Sequence, residues 1–164
     1  MKYFTDCKTA EELKKEYKIQ AKKLHPDNGG NEGAFKEMQA EFSTTWERLK
    51  NIHMNAEGET YSQETAETAG EYMDIIEILI HLDGVETEIC GRWIWCSGET
   101  RQHKNTLKSL GFRFSRNKTA WYYHTGSYRR RHDRDYTLED IRDMYGSQRY
   151  ANQNKEDIPR IATV

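Results

Sequence analysis

The sequence predicts a multi-domain chain: an all-α helical hairpin at the N-terminus, then a small α+β module. Three observations carry that expectation. Apolar residues recur at helical spacing on both sides of a Pro/Gly-containing turn within residues 1–53. An acidic, threonine-rich stretch poor in apolar residues follows over 54–70, as a linker does. Beyond Asp83-Gly84 the pattern changes to alternation rich in aromatic and β-branched residues, which marks strands. The expected boundaries are 1–53 for the hairpin, 54–70 for the linker, 71–146 for a basic, aromatic module and 147–164 for a polar tail.

The first helix begins at Thr9. In Thr9-Ala10-Glu11-Glu12 the hydroxyl can accept the third backbone N–H while Glu12 reaches back to the cap. Leu13, Tyr17, Ala21 and Leu24 share one stripe, and Lys14, Lys15, Lys18, Lys22 and Lys23 occupy much of the rest. The helix stops near His25, because a residue before proline is pushed out of the α region. Asn28-Gly29-Gly30-Asn31 is turn chemistry. A second helix starts near Glu32 and carries Phe35, Met38, Phe42, Trp46 and Leu49, reaching at most His53. Two antiparallel helices so joined bury their stripes against each other, with Tyr3 and Phe4 covering one end.

The apolar segment Tyr72 to Leu82 favours a short helix, although its periodicity also allows a strand. Val85, Thr87 and Ile89 alternate as a strand does, and Trp93-Ile94-Trp95-Cys96 is rich in strand formers. Arg101 to Leu110 reads as a helix stopped by Gly111. Phe112-Arg113-Phe114 and Ala120 to Tyr123 read as strands around a turn. A last short helix is capped by Thr137 and stopped by Gly146.

Composition narrows the function classes. The chain has 164 residues, 35% hydrophobic and 32% charged, with mean hydropathy −1.03. That balance suits small cores and exposed helices. No apolar run approaches the length of a membrane span, and the N-terminus lacks a signal-peptide h-region. Cys7, Cys90 and Cys96 are an odd set without CxxC spacing, expected as reduced thiols in a cytoplasmic compartment. Residues 51–89 hold no Lys or Arg and 10 Asp or Glu, whereas residues 90–134 hold 11 and 2. Each block therefore acts by its own charge rather than by the net −2.

The loop His25-Pro26-Asp27 is the first functional candidate. A lysine row on one helical face is a positive surface that speeds encounter with an acidic partner. Pro26 limits the loop's conformations, so less entropy is lost on docking. Asp27 can pair with a partner arginine, and His25 can donate or accept a hydrogen bond. The bland alternative is a helix-stopping loop beside a solvated lysine face.

Residues 3 to about 50 resemble the J-domain of the DnaJ/Hsp40 co-chaperones. The resemblance rests on Lys15 to Asp27, followed by Phe35-Lys36-Glu37-Met38, and is similar to short HPDxGG variants of viral and divergent J-domains. It implies helix II, the HPD loop and the start of helix III, with helix I absent or reduced to a turn, since only Tyr3-Phe4 precedes the first cap. It also implies docking of His25, Pro26, Asp27 and Lys14, Lys15, Lys18, Lys22 and Lys23 on a DnaK-type Hsp70, whose own ATPase does the chemistry. The Gly/Phe-rich linker and zinc repeats of general client-binding members are missing from the sequence, so a specialised targeting module is expected.

With Trp93, Trp95, Ser97-Gly98, Thr100, His103-Lys104, Leu107-Lys108, Gly111-Phe112-Arg113, Lys118 and Trp121-Tyr122 in order, residues 85–124 resemble a small module found beside J-domains in proteins of bacterial phages and integrating elements, which supplies an architecture and no mechanism. Arg92, Lys104, Arg113, Arg116, Lys118 and Arg129, Arg130 and Arg131 lie among aromatics, a composition that suits phosphates and unpaired bases. Two other readings compete: Trp93, Trp95 and Trp121 as core, and the basic residues meeting the chain's own acidic segment. Cys90 and Cys96 are spaced unlike a zinc knuckle, and no metal or cofactor is expected. Ser97 lacks a GxSxG elbow and no P-loop or paired-carboxylate pattern occurs, so catalysis by this chain is not expected.

Overall fold

A computed structural model describes residues 1–124 and 136–145. The fold is mixed α+β, with a helical layer packed on a small antiparallel sheet. Expectations for Arg129, Arg130, Arg131, His132, Gly146 and the tail 147–164 fall outside the described residues.

Helices α1 (Ala10–Leu24) and α2 (Glu32–Leu49) form the expected pair. Thr9 accepts the Glu12 N–H at 3.3 Å, but the Glu12 carboxylate reaches past the cap to the Lys8 N–H at 2.8 Å. Asn31 caps α2. The helices run antiparallel, with the rings of Tyr17 and Phe42 4.4 Å apart at mid-length and His25 meeting Phe35 at the turn. Phe4, Leu13, Met38, Phe42 and Trp46 are fully buried between them and the segment 69–79. Among the described residues no helix precedes α1; instead the Glu41 carboxylate accepts the N–H groups of Lys2, Tyr3 and Phe4 at 2.9–3.0 Å and pins Phe4 into the core.

The stretch expected as a linker carries structure of its own. β1 (Ile52–Met54) pairs antiparallel with β2 (Thr60–Ser62), around a turn in which Asn55 Oδ1 takes the N–H groups of Glu57 and Glu59. The second helix therefore ends at Leu49, short of the expected limit. α3 (Ala69–Leu79) is a helix, as favoured, and opens on a reciprocal Thr68–Glu71 capping box.

The sheet has order β3-β4-β6-β5, all antiparallel: β3 (Val85–Cys90), β4 (Trp93–Gly98), β5 (Arg113–Ser115) and β6 (Ala120–His124). α4 (Lys104–Ser109), entered through one 3-10 turn, connects β4 to β5. It closes on Gly111 at φ 93°, with Phe112 N–H on the Leu107 carbonyl and Gly111 N–H on Lys108, a stop that a β-carbon would strain.

Register divides the side chains between two faces. Thr87, Cys96, Trp121 and Phe114 are aligned on one, Glu88, Trp95, Tyr122 and Arg113 on the other. The first face joins the helical core in one unbroken cluster running from Phe4 to Trp121. α5 (Leu138–Tyr145) covers part of the second, where Leu138 packs with Cys90, Trp95 and Ala120, while Trp93, Tyr122 and His124 stay half-buried. Arg142 of α5 takes the buried Glu88 carboxylate through Nε at 2.7 and 2.8 Å and through Nη2 at 2.7 Å.

Candidate functional site

The turn between α1 and α2 is built almost entirely from its own hydrogen bonds. His25 ends α1 with its N–H on the Ala21 carbonyl and an extended ψ of 131°, as the following proline requires. Pro26, Asp27 and Asn28 form one 3-10 turn. The His25 carbonyl accepts the N–H groups of Asn28 and Gly30, each at 3.0 Å, and Asn28 Nδ2 holds the Lys22 carbonyl at 2.9 Å. Gly29 sits at φ 84°. A β-carbon on Gly30 would fall 2.0 Å from the Leu24 carbonyl oxygen. The two glycines are thus needed for different reasons, one for its dihedral and one for its close approach.

Pro26 and Asp27 face solvent, the Asp27 side chain 69% exposed. His25 does not: it is 6% exposed. Its ring lies edge-on to Phe35 and to His81, with centroids 5.0 and 4.6 Å away. Its Nε2 donates to Glu77 Oε1 at 2.7 Å, and its Nδ1 accepts the Asp27 N–H at 3.1 Å. Asp27 Oδ2 lies 3.4 Å from His81 Nε2. The loop therefore rests on the C-terminal end of α3, a neighbour that local sequence did not reveal. Glu77 and His81 are one turn apart on that end, and this spacing was the available signal.

The lysine row is corrected at two positions. Lys14 is buried, its Nζ 2.5 Å from Glu67 Oε2 and over the rings of Trp46 and Tyr72. Lys18 is half-buried over the sheet and donates to the Thr87 carbonyl. Burial pulls its pKa down to about 8, only partly opposed by the nearby Glu88. Periodicity places a residue on a helix face but says nothing of what packs on that face; here the acidic segment and β3 cover it. Lys15 and Lys22 are half-buried, and Lys23 is exposed beside the loop.

A second buried polar contact also involves α1. Glu11 Oε1 meets His53 Nδ1 at 2.7 Å, and its other oxygen accepts the Met54 N–H. This pair ties α1 to the β1–β2 hairpin.

The described basic residues of the sheet module are spread over several elements. Arg92 lies in the β3–β4 turn and donates to Gln63 at 2.8 Å. Lys104 begins α4, while Arg113, Arg116 and Lys118 belong to β5 and the turn after it. Lys104, Arg113 and Arg116 are exposed, and Lys118 lies 6.0 Å over the Trp95 ring. Trp95 and Trp121 are buried, 5% and 7% exposed, as a core reading expects. Trp93 is half-buried, with Tyr122 at 5.6 Å and His124 at 4.4 Å between ring centroids. Cys90 and Cys96 are fully buried, and burial raises the Cys96 thiol to about 12, so it stays protonated. Among the described residues, the acidic segment meets α1 and the turn through Glu67–Lys14 and Glu77–His25.

No protein-family model, curated protein or solved structure matches the chain. No described helix is long and apolar enough to cross a membrane.

Proposed function

We propose that this chain is a cytoplasmic J-domain co-chaperone. It docks on a DnaK-type Hsp70 through His25-Pro26-Asp27, stimulates ATP hydrolysis there and delivers the Hsp70 to a client engaged by the sheet module. The observation that carries this reading is the turn at the tip of the α1–α2 pair: it is internally hydrogen-bonded and presents Pro26 and Asp27 outward. A pre-ordered loop loses little entropy on docking. Asp27 is the contact carboxylate in this reading, and His25 positions it by accepting its N–H. Lys23, with Lys15 and Lys22, supplies the positive field; Lys14 and Lys18 serve the fold. The chain itself hydrolyses nothing.

The test is the steady-state ATPase of a DnaK-type Hsp70 with the full chain. Wild type stimulates it, and Asp27→Asn removes the stimulation while leaving Tm unchanged. Equal stimulation by both proteins would sink the reading.

One observation favours a second reading. The half-buried Trp93, Tyr122 and His124 rings lie together on the sheet face that also carries Arg113. Such a strip suits stacking of unpaired bases beside a phosphate. Salt-dependent quenching of tryptophan fluorescence by a single-stranded oligonucleotide, lost in Trp93→Ala, would support it; no quenching at low salt would rule it out.

A further inference from the structure

His25, Asp27 and His81 bring ligand atoms within 4.8 Å of one another, where the α1–α2 turn rests on the end of α3. Proximity alone is weak, because polar groups gather on many surfaces. The hydrogen bonds behind the cluster carry more information. Both histidines are held from outside by the same residue. Glu77 Oε1 accepts from His25 Nε2 at 2.7 Å, and the Glu77 carbonyl accepts from His81 Nδ1 at 2.7 Å. Each bond assigns a proton to the outer nitrogen. In the neutral rings the inner nitrogens, Nδ1 of His25 and Nε2 of His81, carry the lone pairs.

Those inner nitrogens face the same carboxylate oxygen. Asp27 Oδ2 is 3.8 Å from His25 Nδ1 and 3.4 Å from His81 Nε2. The lone pair of His25 Nδ1 is engaged by the Asp27 N–H at 3.1 Å. That of His81 Nε2 meets only the anionic carboxylate in this cluster. Two lone-pair bearers at that separation repel unless a cation lies between them, and the cation is either a proton on Nε2 or a metal ion. Donors around a tetrahedral zinc sit about 3.3 Å apart, from bonds of about 2.0–2.1 Å. The His81–Asp27 edge already has that spacing. Asp27 and His81 are exposed, so a hydrated ion can enter and His81 can swing inward.

We infer that His25, Asp27 and His81 form a binding site for a divalent transition-metal ion, with Glu77 as the outer partner that orients both imidazoles. Two imidazoles and one carboxylate select zinc and its neighbours over magnesium or calcium, which prefer all-oxygen shells. An outer carboxylate or carbonyl on the far nitrogen of each ligating histidine is the recurrent arrangement that fixes its tautomer and raises its basicity. On coordination, His25 Nδ1 exchanges the Asp27 N–H for the metal, and water fills the open positions. The inference does not rest on the docking reading, although an occupied site would take Asp27 away from any docking partner.

The experiment is calorimetric titration of Zn²⁺ into the metal-stripped full chain, with a non-thiol reductant, paired with Co²⁺ absorption spectroscopy. One ion binds per chain, and the Co²⁺ spectrum lacks thiolate charge-transfer bands. His81→Ala and Asp27→Asn, changes at exposed side chains that leave the core intact, abolish binding. Glu77→Ala weakens it by about 10–100-fold, whereas His103→Ala, His124→Ala and Cys7→Ser leave it unchanged. Absence of Zn²⁺ binding, or affinity that survives His81→Ala or Asp27→Asn, overturns the inference and leaves a proton as the cation between His81 and Asp27.

Discussion

Lys14 of α1 and Glu67, in the segment before α3, form a buried ion pair at 2.5 Å, their side chains 8% and 1% exposed. It stands among rings rather than in water: Lys14 Nζ lies 5.0 Å from the Tyr72 centroid and 5.5 Å from that of Trp46. The surrounding hydrogen bonds close a circuit, with Trp46 Nε1 donating to the Glu67 carbonyl and the Tyr72 hydroxyl to the Lys14 carbonyl. Separately, Glu67 Oε1 has no hydrogen-bond partner. Removing one partner strands a charge in low dielectric, a loss of about 3–5 kcal/mol. Lys14→Met should lower stability by that amount in urea denaturation, and Lys14→Met with Glu67→Leu should recover most of it. A single mutant of wild-type stability would contradict the burial of the pair.

His25 and Asp27 should part company in stability measurements. The His25 ring is buried on Phe35 and bonded to Glu77, whereas the Asp27 carboxylate is mostly exposed. Emptying the first site costs packing and a charge-assisted hydrogen bond, on the order of 2–3 kcal/mol. His25→Ala should therefore lower Tm by several degrees, and Asp27→Asn by no more than about one degree. Loss of docking in a His25 variant is accordingly ambiguous, and Asp27→Asn is the informative change.

Lys18 makes stability depend on alkaline pH. Its folded pKa is near 8, below the ordinary 10.5, because burial disfavours the charge. Between those values the unfolded chain holds the proton and the folded chain has released it, so this group's contribution to stability rises with pH across the window. Below about pH 8 the full cost of burying the ammonium remains. Raising pH from about 7.5 to about 9.5 should shift stability by about 1–2 kcal/mol in favour of wild type relative to Lys18→Met. Parallel urea curves at the two pH values would read this directly. A difference that stays flat would mean the ammonium is solvated.

The elements were legible wherever local chemistry decides. Thr9, Gly111 and Thr137 cap or stop helices as their positions suggest, and the Phe35-Met38-Phe42-Trp46 stripe is core. What stayed hidden depends on contacts between distant segments. The β1–β2 hairpin is short, and all of Thr60–Ser62 is exposed, so no apolar alternation announces it. It is held by Glu11 on His53 and Met54 and by Asn51 Oδ1 on the Thr65 N–H. The lysine row illustrates the same limit. Its spacing is helical in every case, yet Lys14 and Lys18 are covered because Glu67 and Thr87 arrive from elsewhere. The candidate site was half legible, as a turn with Pro26 and Asp27 outward, while its floor of Glu77 and His81 came only with α3 in place.

Glu41 should set an acid limit on the N-terminal segment. Burial alone would raise its carboxyl, but the N–H groups of Lys2, Phe4 and Tyr3 and the terminal ammonium outweigh that and hold it below the usual 4.5. A carboxylate with a depressed folded pKa stabilises above its unfolded value, and the contribution is lost as pH falls through the folded one. The segment should therefore detach from α2 only as pH falls below 4.5 and through that depressed value, releasing Phe4. Amide exchange at Tyr3 and Phe4 should quicken there, and should be fast at neutral pH in Glu41→Gln. Protection unchanged in the variant would assign the anchoring to Phe4 packing alone.

The end of α3 bears on the proposed docking through Asp27. His81 Nε2 and a partner cation would compete for the same Asp27 carboxylate, and His81 is already 3.4 Å away. An exposed pair of this kind is worth little, about 0–1 kcal/mol, so under the proposed function it would attenuate docking without blocking it. In the presence of a chelator, which removes any bound metal, His81→Ala should lower the concentration giving half-maximal Hsp70 ATPase stimulation by up to about 5-fold, the equivalent of that energy. The maximal rate should not change, because the variant alters only the availability of Asp27. Thr68→Ala, which removes the α3 cap at a cost of about 1 kcal/mol, should act in the same direction by loosening the helix whose C-terminal turn leads into His81. A half-maximal concentration that rises in His81→Ala would make His81 part of the docking surface rather than its competitor.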